Sequence, residues 1–176
     1  MKIHLIRHAE AIDRSLNGPA DAYRYLTSRG RTRFRRVAAS LKKQKIKPDI
    51  IITSPLIRAV QTADILAEIL RFSGDVMVSP LLSAGFQITH LRDLLLSHGE
   101  ATEIVLIGHE PDFGKLAQEL LGVPFPCAMK KGGTLSVAID LCQADQPPEF
   151  LSLVTGGGTV ITNKDKALKR LKTNNP

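Results

Sequence analysis

The sequence has no tryptophan, two tyrosines, six phenylalanines and two cysteines among its 176 residues. Cys127 and Cys142 belong to no Cys-x-x-Cys pair or Cys/His cluster, which excludes a zinc finger or dithiol site; both are expected to be small buried hydrophobes. Aromatic residues are not interleaved with basic ones along any strand-like segment, so no specific nucleic-acid binding is expected. No apolar run approaches the roughly 20 residues that span a bilayer, so no membrane association is expected either. The opening MKIHLIRHAE breaks its short apolar stretch with His4 and Arg7 and lacks a small-residue cleavage site. It does not read as a signal peptide, and the cytoplasm is the expected location. A Walker GxxxxGK, a CxxxxxR thiol signature and a carboxylate cluster for two metals are also missing, so no metal and no cofactor are expected.

What is present is ordinary globular material, with 43% hydrophobic and 23% charged residues. The length suits one domain, residues 1–176, with 164–176 as a basic C-terminal tail. Net charge is +7, unevenly spread: residues 1–50 carry 13 Lys/Arg against 4 Asp/Glu, residues 51–163 carry 6 against 12, and the last 13 carry 5 against 1. A regional excess of this kind invites an acidic or phosphorylated partner.

Periodicity predicts strands at Ile3–Ile6, Asp49–Thr53, Val76–Val78, Ile104–Ile107, Thr134–Leu141 and Phe150–Leu153. Helices are predicted over Gly30–Lys47, where Phe34, Val37, Ala38 and Leu41 form one apolar stripe, and over Leu56–Leu70, Ile88–Leu96, Asp112–Leu121 and Lys164–Lys172. Pro48 marks the end of the first helix, Ser54 is placed to cap the second with Pro55 at its first position, and Thr173–Pro176 should fray. Gly156-Gly157-Gly158 lacks a downstream Lys-Ser/Thr and reads as a turn. Alternating strands and helices give an α/β class: a three-layer α/β/α sandwich with a mainly parallel central sheet.

In such a sheet ligands bind beyond the carboxyl ends of the strands. One strand ends in Arg7-His8, a second delivers Ser54 and then Arg58 in the first helical turn, and a third ends in His109. Two guanidinium groups and two imidazoles suit the oxygens of a phosphoryl group, helped by the partial positive charge of the helix start near Pro55. Neutral histidine is a competent nucleophile, and His8 is the candidate. His4, His90 and His98 match no such pattern and read as structural or solvated.

The three junctions carry a resemblance. Arg7-His8-Ala9-Glu10 resembles the RHG or RHA signature of the histidine phosphatase superfamily, which includes the phosphoglycerate mutases. Ser54-Pro55-Leu56-Ile57-Arg58-Ala59-Val60-Gln61-Thr62-Ala63 resembles its SPxxRAxQTA segment, and Gly108-His109-Glu110 its second-histidine motif. The likeness runs from Met1 to about Leu153. It implies a phosphoglycerate mutase-like fold, His8 as phosphoryl acceptor, and a phosphate pocket of Arg7, Arg58 and His109, to which the strand-end position adds Ser54. The short chain and the RHA form are most similar to the SixA-type phosphohistidine phosphatases.

One departure bears on substrate. Larger members carry a glutamate between the second and third motifs that protonates a leaving oxygen, whereas Ser79-Pro80-Leu81-Leu82-Ser83-Ala84-Gly85 holds no carboxylate. Asp13 and Glu110 are the candidate substitutes. A phosphohistidine substrate needs no strong protein acid, because its imidazole takes up a proton near neutral pH. The expectation is therefore a monomeric, metal-independent phosphatase that removes phosphate from phosphohistidine on a signalling or phosphocarrier protein. The short stretch from Ser79 to Glu103 leaves little chain for a lid, and the arginines of the first helix, among them Arg33, Arg35 and Arg36, could receive an acidic phosphotransfer domain. The alternatives are a broad phosphomonoesterase on small phosphate esters and a non-catalytic phosphate or nucleic-acid binding module.

Overall fold

A computed structural model describes residues 1–16, 18–141 and 146–173. Seven strands form one sheet in the order β3-β2-β4-β1-β5-β6-β7: β1 Lys2–Arg7, β2 Ile50–Thr53, β3 Val76–Val78, β4 Glu103–Gly108, β5 Thr134–Ala138, β6 Glu149–Val154 and β7 Val160–Ile161. β1 to β4 run parallel, β6 shares their direction, and β5 and β7 oppose it. Five helices cover the sheet: α1 Ser28–Lys43, α2 Ile57–Leu70, α3 Ile88–Ser97, α4 Asp112–Leu121 and α5 Lys164–Leu171.

Alternation along the central strands builds the sandwich. Ile6, Ile51, Val105 and Ile107 pack with Phe34, Val37 and Leu41 of α1 and Ala59, Ala63 and Leu66 of α2 on one face. Ile3, Leu5, Ile52, Ile104 and Leu106 pack with Leu91 and Leu94 of α3, Phe113 and Leu116 of α4 and Leu171 of α5 on the other. Strands buried on both faces read as unbroken apolar runs, which is why Ile104–Ile107 was so legible.

The boundaries differ where tertiary contacts decide them. α1 stops at Lys43, four residues short of the predicted end, because Lys45 adopts a left-handed φ of 60° and the Ile46 amide returns to the Leu41 carbonyl at 3.3 Å. That closure turns Ile46 onto the α1–α2 core, and no glycine announces it. α2 begins at Ile57 after Leu56, so Ser54 is not its cap. The two-residue β7 was not anticipated; it forms a hairpin with β6 through the predicted turn at Gly156–Gly158, with Gly158 at φ 92°.

The basic C-terminal segment is docked rather than free. Ala167 and Leu171 are buried, the Ala128 amide donates to Leu171, and the Thr173 amide donates to the Pro126 carbonyl at 3.0 Å, so Thr173 does not fray. Residues 174–176 and Cys142 lie outside the described residues, whereas Cys127 is buried and free. Among the described residues no helix is long and apolar enough to cross a membrane.

Candidate active site

The register of the parallel strands brings three chain segments to one edge. Arg7 lies opposite Gly108 and Thr53 opposite Ile107, and the next residues continue the ladder, with His8 N–H donating to Gly108 and Ser54 N–H to Ile107, both at 3.0 Å. His8, Arg58 and His109 are 6%, 5% and 6% exposed, and the two imidazole centroids stand 5.1 Å apart.

Each imidazole has its proton placed by a neighbour. His8 Nδ1 lies 2.7 Å from the Ala9 carbonyl, which only accepts, so Nδ1 donates and Nε2 keeps its lone pair. Ser54 Oγ accepts from the Leu56 amide at 3.3 Å and lies 2.8 Å from His109 Nε2. With the hydroxyl proton directed to Nε2, the imidazole proton lies on Nδ1, a buried atom without a hydrogen-bond partner among the described residues. Burial, then the charges of the neighbouring cationic groups, hold His8 at about 3 against the usual 6.5; its bond to Ala9 opposes the shift. Burial and Arg58 hold His109 at about 4. Both rings are neutral at neutral pH, as a nucleophile requires.

The arginines are fixed at their tips and open along their sides. Arg7 Nη1 donates to the Met129 carbonyl at 2.6 Å; Arg58 Nη1 donates to the Asp21 carbonyl at 2.7 Å and Nη2 to its carboxylate at 3.1 Å. Arg7 Nε and Arg58 Nε are buried and, like His109 Nδ1, have no hydrogen-bond partner among the described residues. Desolvation lowers the pKa of both guanidiniums, offset chiefly by Glu110 for Arg7 and Asp21 for Arg58. Buried donors left unmatched by the protein carry a desolvation cost unless a ligand supplies acceptors. Three of them beside a lone pair on His8 make a site for a tetrahedral oxyanion.

The structure thus brings together Arg7, His8, Ser54, Arg58 and His109. Ser54 acts on His109 rather than as a helix cap. Asp13 is exposed and hydrogen-bonds to no site group among the described residues. Glu110 is half-buried, its carboxyl raised by desolvation, and it accepts from the amides of Met129, at 2.9 Å, and Gly114, so it braces the backbone under Arg7. Among the described residues no group of three or more His, Cys, Asp or Glu side chains is placed to hold a metal ion.

Sequence reasoning missed three supports. Asp21 sits on a single 3-10 turn, Asp21–Tyr23, and pairs with Arg14, Arg24 and Arg58; its spacing from the motifs carries no signal. Thr62 accepts from the Ala9 amide at 3.1 Å and donates to the Arg58 carbonyl at 2.6 Å, so α2 positions the loop that carries His8. Asp112 takes the amides of Gly85 and Phe86, at 2.8 and 3.3 Å, and anchors the segment that has no carboxylate of its own.

Comparison with known proteins agrees with this geometry. Residues 3–82 match the family model of the histidine phosphatase superfamily (branch 1). A protein of unassigned function from Picosynechococcus sp. is 33% identical over 126 residues, covering 68% of this chain and 73% of its own. The phosphohistidine phosphatase SixA of Escherichia coli is 29% identical over 144 residues, 80% of this chain and 86% of its own. The structure of a protein histidine phosphatase SixA complexed with tungstate superposes with a TM-score of 0.77 and 25% identity, covering 89% of this chain and 97% of that one. With its paired histidines and arginines on the edge of a seven-stranded α/β/α sheet, the chain belongs to the histidine phosphatase superfamily.

Proposed function

We propose that this chain removes phosphate from phosphohistidine borne on another protein, through a covalent phosphoryl group on His8. The observation that carries the reading is the bond from His8 Nδ1 to the Ala9 carbonyl, which leaves Nε2 unprotonated beside unmatched donors on Arg7, Arg58 and His109. Those donors receive the equatorial oxygens as charge spreads over them in transfer. In the first step Nε2 of His8 attacks phosphorus and the substrate P–N bond breaks, the departing imidazole carrying a proton taken up on its other nitrogen. In the second, water attacks the phosphorus on His8, releasing phosphate and restoring neutral His8.

The engagement of the described carboxylates around the site favours a phosphoramidate over an alkyl ester; Glu10 faces Arg33 and Arg29 at 3.7 and 4.0 Å. Glu110 is engaged by two backbone amides, Asp112 by two more, and Asp21 is held ionised by Arg14 and Arg58 despite its partial desolvation. None of these is placed to protonate an alkoxide. Likeness to the E. coli phosphohistidine phosphatase SixA, and to a SixA fold that accepts tungstate, a tetrahedral oxyanion, supports the same reading.

The test is phosphate release from a purified phosphohistidine protein by the wild type and by His8→Ala, beside release from an alkyl phosphate ester. Rapid loss from the protein that vanishes in the variant, with slower ester turnover, is expected. Rapid ester hydrolysis with the phosphohistidine protein untouched would overturn the reading in favour of a small-molecule phosphomonoesterase.

A further inference from the structure

A groove of about 420 Å³ opens beside the site, sharing Arg7 with it. Its cationic lining is Arg7, Arg33, Lys130 and Lys131, its one carboxylate is Glu10, and Gly156 and Gly157 leave part of the wall without side chains. Lys130 and Lys131 are two of only six basic residues between positions 51 and 163; both are exposed and form no ion pair among the described residues. Arg33 Nη1 stands 3.7 Å from Glu10 Oε2, a partly screened contact. Arg35, grouped with Arg33 in the sequence, turns away to Glu68 on α2 at 2.8 Å. The cationic face beside the site is therefore made by Arg33 with a loop from the far side of the sheet, not by α1 alone.

The groove is rigidly joined to the chemistry. The Gly132 amide is shared between the Arg7 and His8 carbonyls at 3.1 Å each, and Met129 accepts from Arg7, so the Lys130-Lys131 segment is bonded to the residues that present the nucleophile. A polypeptide that delivers a side chain to His8 must run its flanking residues past Arg7. The groove is the cationic surface waiting there.

Resting on the phosphohistidine-protein reading, we infer that this groove is a docking subsite for an acidic segment flanking the phosphorylated residue, with Lys130, Lys131 and Arg33 facing its carboxylates. The residues would supply long-range attraction and register rather than chemistry. A nucleic-acid occupant fits less well, because the one aromatic ring in the lining, Phe34, is buried and offers no face for a base to stack on.

The experiment compares phosphohistidine peptides identical except for Glu or Gln at the flanking positions, together with phosphoimidazole as a small substrate, on the wild type and on Lys130→Gln/Lys131→Gln. The Glu-flanked peptide should show about tenfold higher kcat/KM than its Gln counterpart at low salt, through KM, and the variant should erase that difference while hydrolysing phosphoimidazole unchanged. Equal turnover of the two peptides by the wild type, or an equal loss on peptide and phosphoimidazole in the variant, overturns the groove. If neither phosphohistidine substrate is turned over, the catalytic reading has failed instead. Anisotropy of a labelled Glu-flanked phosphoserine peptide and of a DNA oligonucleotide on both proteins then decides the groove. Selective binding of the peptide, weakened in the variant, upholds it; equal binding to both proteins, or a preference for the oligonucleotide, overturns it.

Discussion

Ser54 Oγ stands 2.8 Å from His109 Nε2, and this one contact sets which nitrogen of the second histidine faces the site. The Leu56 amide donates to the same hydroxyl, whose own proton can go to Nε2, the arrangement that makes Nδ1 the donor toward the site. Ser54→Ala removes this control and lets the ring adopt either tautomer. Steady-state kinetics should show kcat about tenfold lower, with tungstate inhibition weakened in parallel, and Ser54→Thr should restore most of both. A variant with unchanged tungstate affinity would mean that the backbone alone orients His109.

Asp21 relates to Arg58 in a similar way, with its carbonyl and its carboxylate each accepting from a different guanidinium nitrogen. The carboxylate is more than a third exposed, so its loss should cost less than about 1 kcal/mol of stability. Its effect on function is larger, because a fork that is free to rotate no longer presents Nε and its partners in one plane to an oxyanion. Asp21→Ala should raise KM several-fold on both small and protein substrates with little change in melting temperature. Unaltered KM would show that the carbonyl bond suffices.

The sheet, its helices and the principal side chains were legible because each leaves a local mark. Ile104–Ile107 is buried on both faces and reads as an unbroken apolar run, Arg7-His8 and His109 stand at strand ends, and Arg58 lies in the first turn of the helix after β2. The supports were not legible for an equally physical reason. Asp21 reaches Arg58 across 37 positions and Thr62 reaches Ala9 across 53, so neither partner is marked by the residues around it. Ser54 falls in the pocket by its strand-end position, but its local pattern suggests a cap, since Ser-Pro before a helix satisfies the capping pattern whether or not the hydroxyl is used that way. The end of α1 depended on Ile46 finding the core, a long-range event that the local sequence, with Pro48 as its stop signal, placed four residues late.

Glu103 offers a control at the other end of the strands. Its carboxylate accepts from the Lys47 amide and pairs with His4, both at 3.0 Å, and His4 reaches Ser136 at 2.8 Å. Although burial pushes the carboxyl up, the bonds from His4 and Lys47 bring it below the usual range, so its contribution is present at neutral pH and is lost as pH falls through the carboxylate range. Glu103→Ala leaves the buried His4 imidazole and the half-buried Lys47 amide without this acceptor and should cost about 1–3 kcal/mol by denaturant unfolding. The folded fraction should keep its kcat. A matching loss of kcat would mean that distortion at this end travels along β1 and β4 to the site.

Acid sensitivity should report the site itself. His8 and His109, held at about 3 and about 4 against 6.5 in the unfolded chain, bind fewer protons folded than unfolded between those values. Stability is therefore complete above pH 6.5 and declines as pH drops through this window, by up to about 1.4 kcal/mol per pH unit for each ring. Between pH 7 and 5.5 the loss should be about 2.5 kcal/mol, seen as a fall of roughly 5–10 °C in melting temperature for a chain of this size. Sulfate, a dianion throughout this range, should bind the unmatched donors and favour the protonated rings, so its stabilising effect should grow as pH falls. The double variant His8→Gln/His109→Gln should flatten the pH slope and leave only the general exclusion effect of sulfate. A slope of the same size in that variant would place the acid-sensitive groups elsewhere in the fold and weaken the argument that both rings rest neutral before substrate arrives.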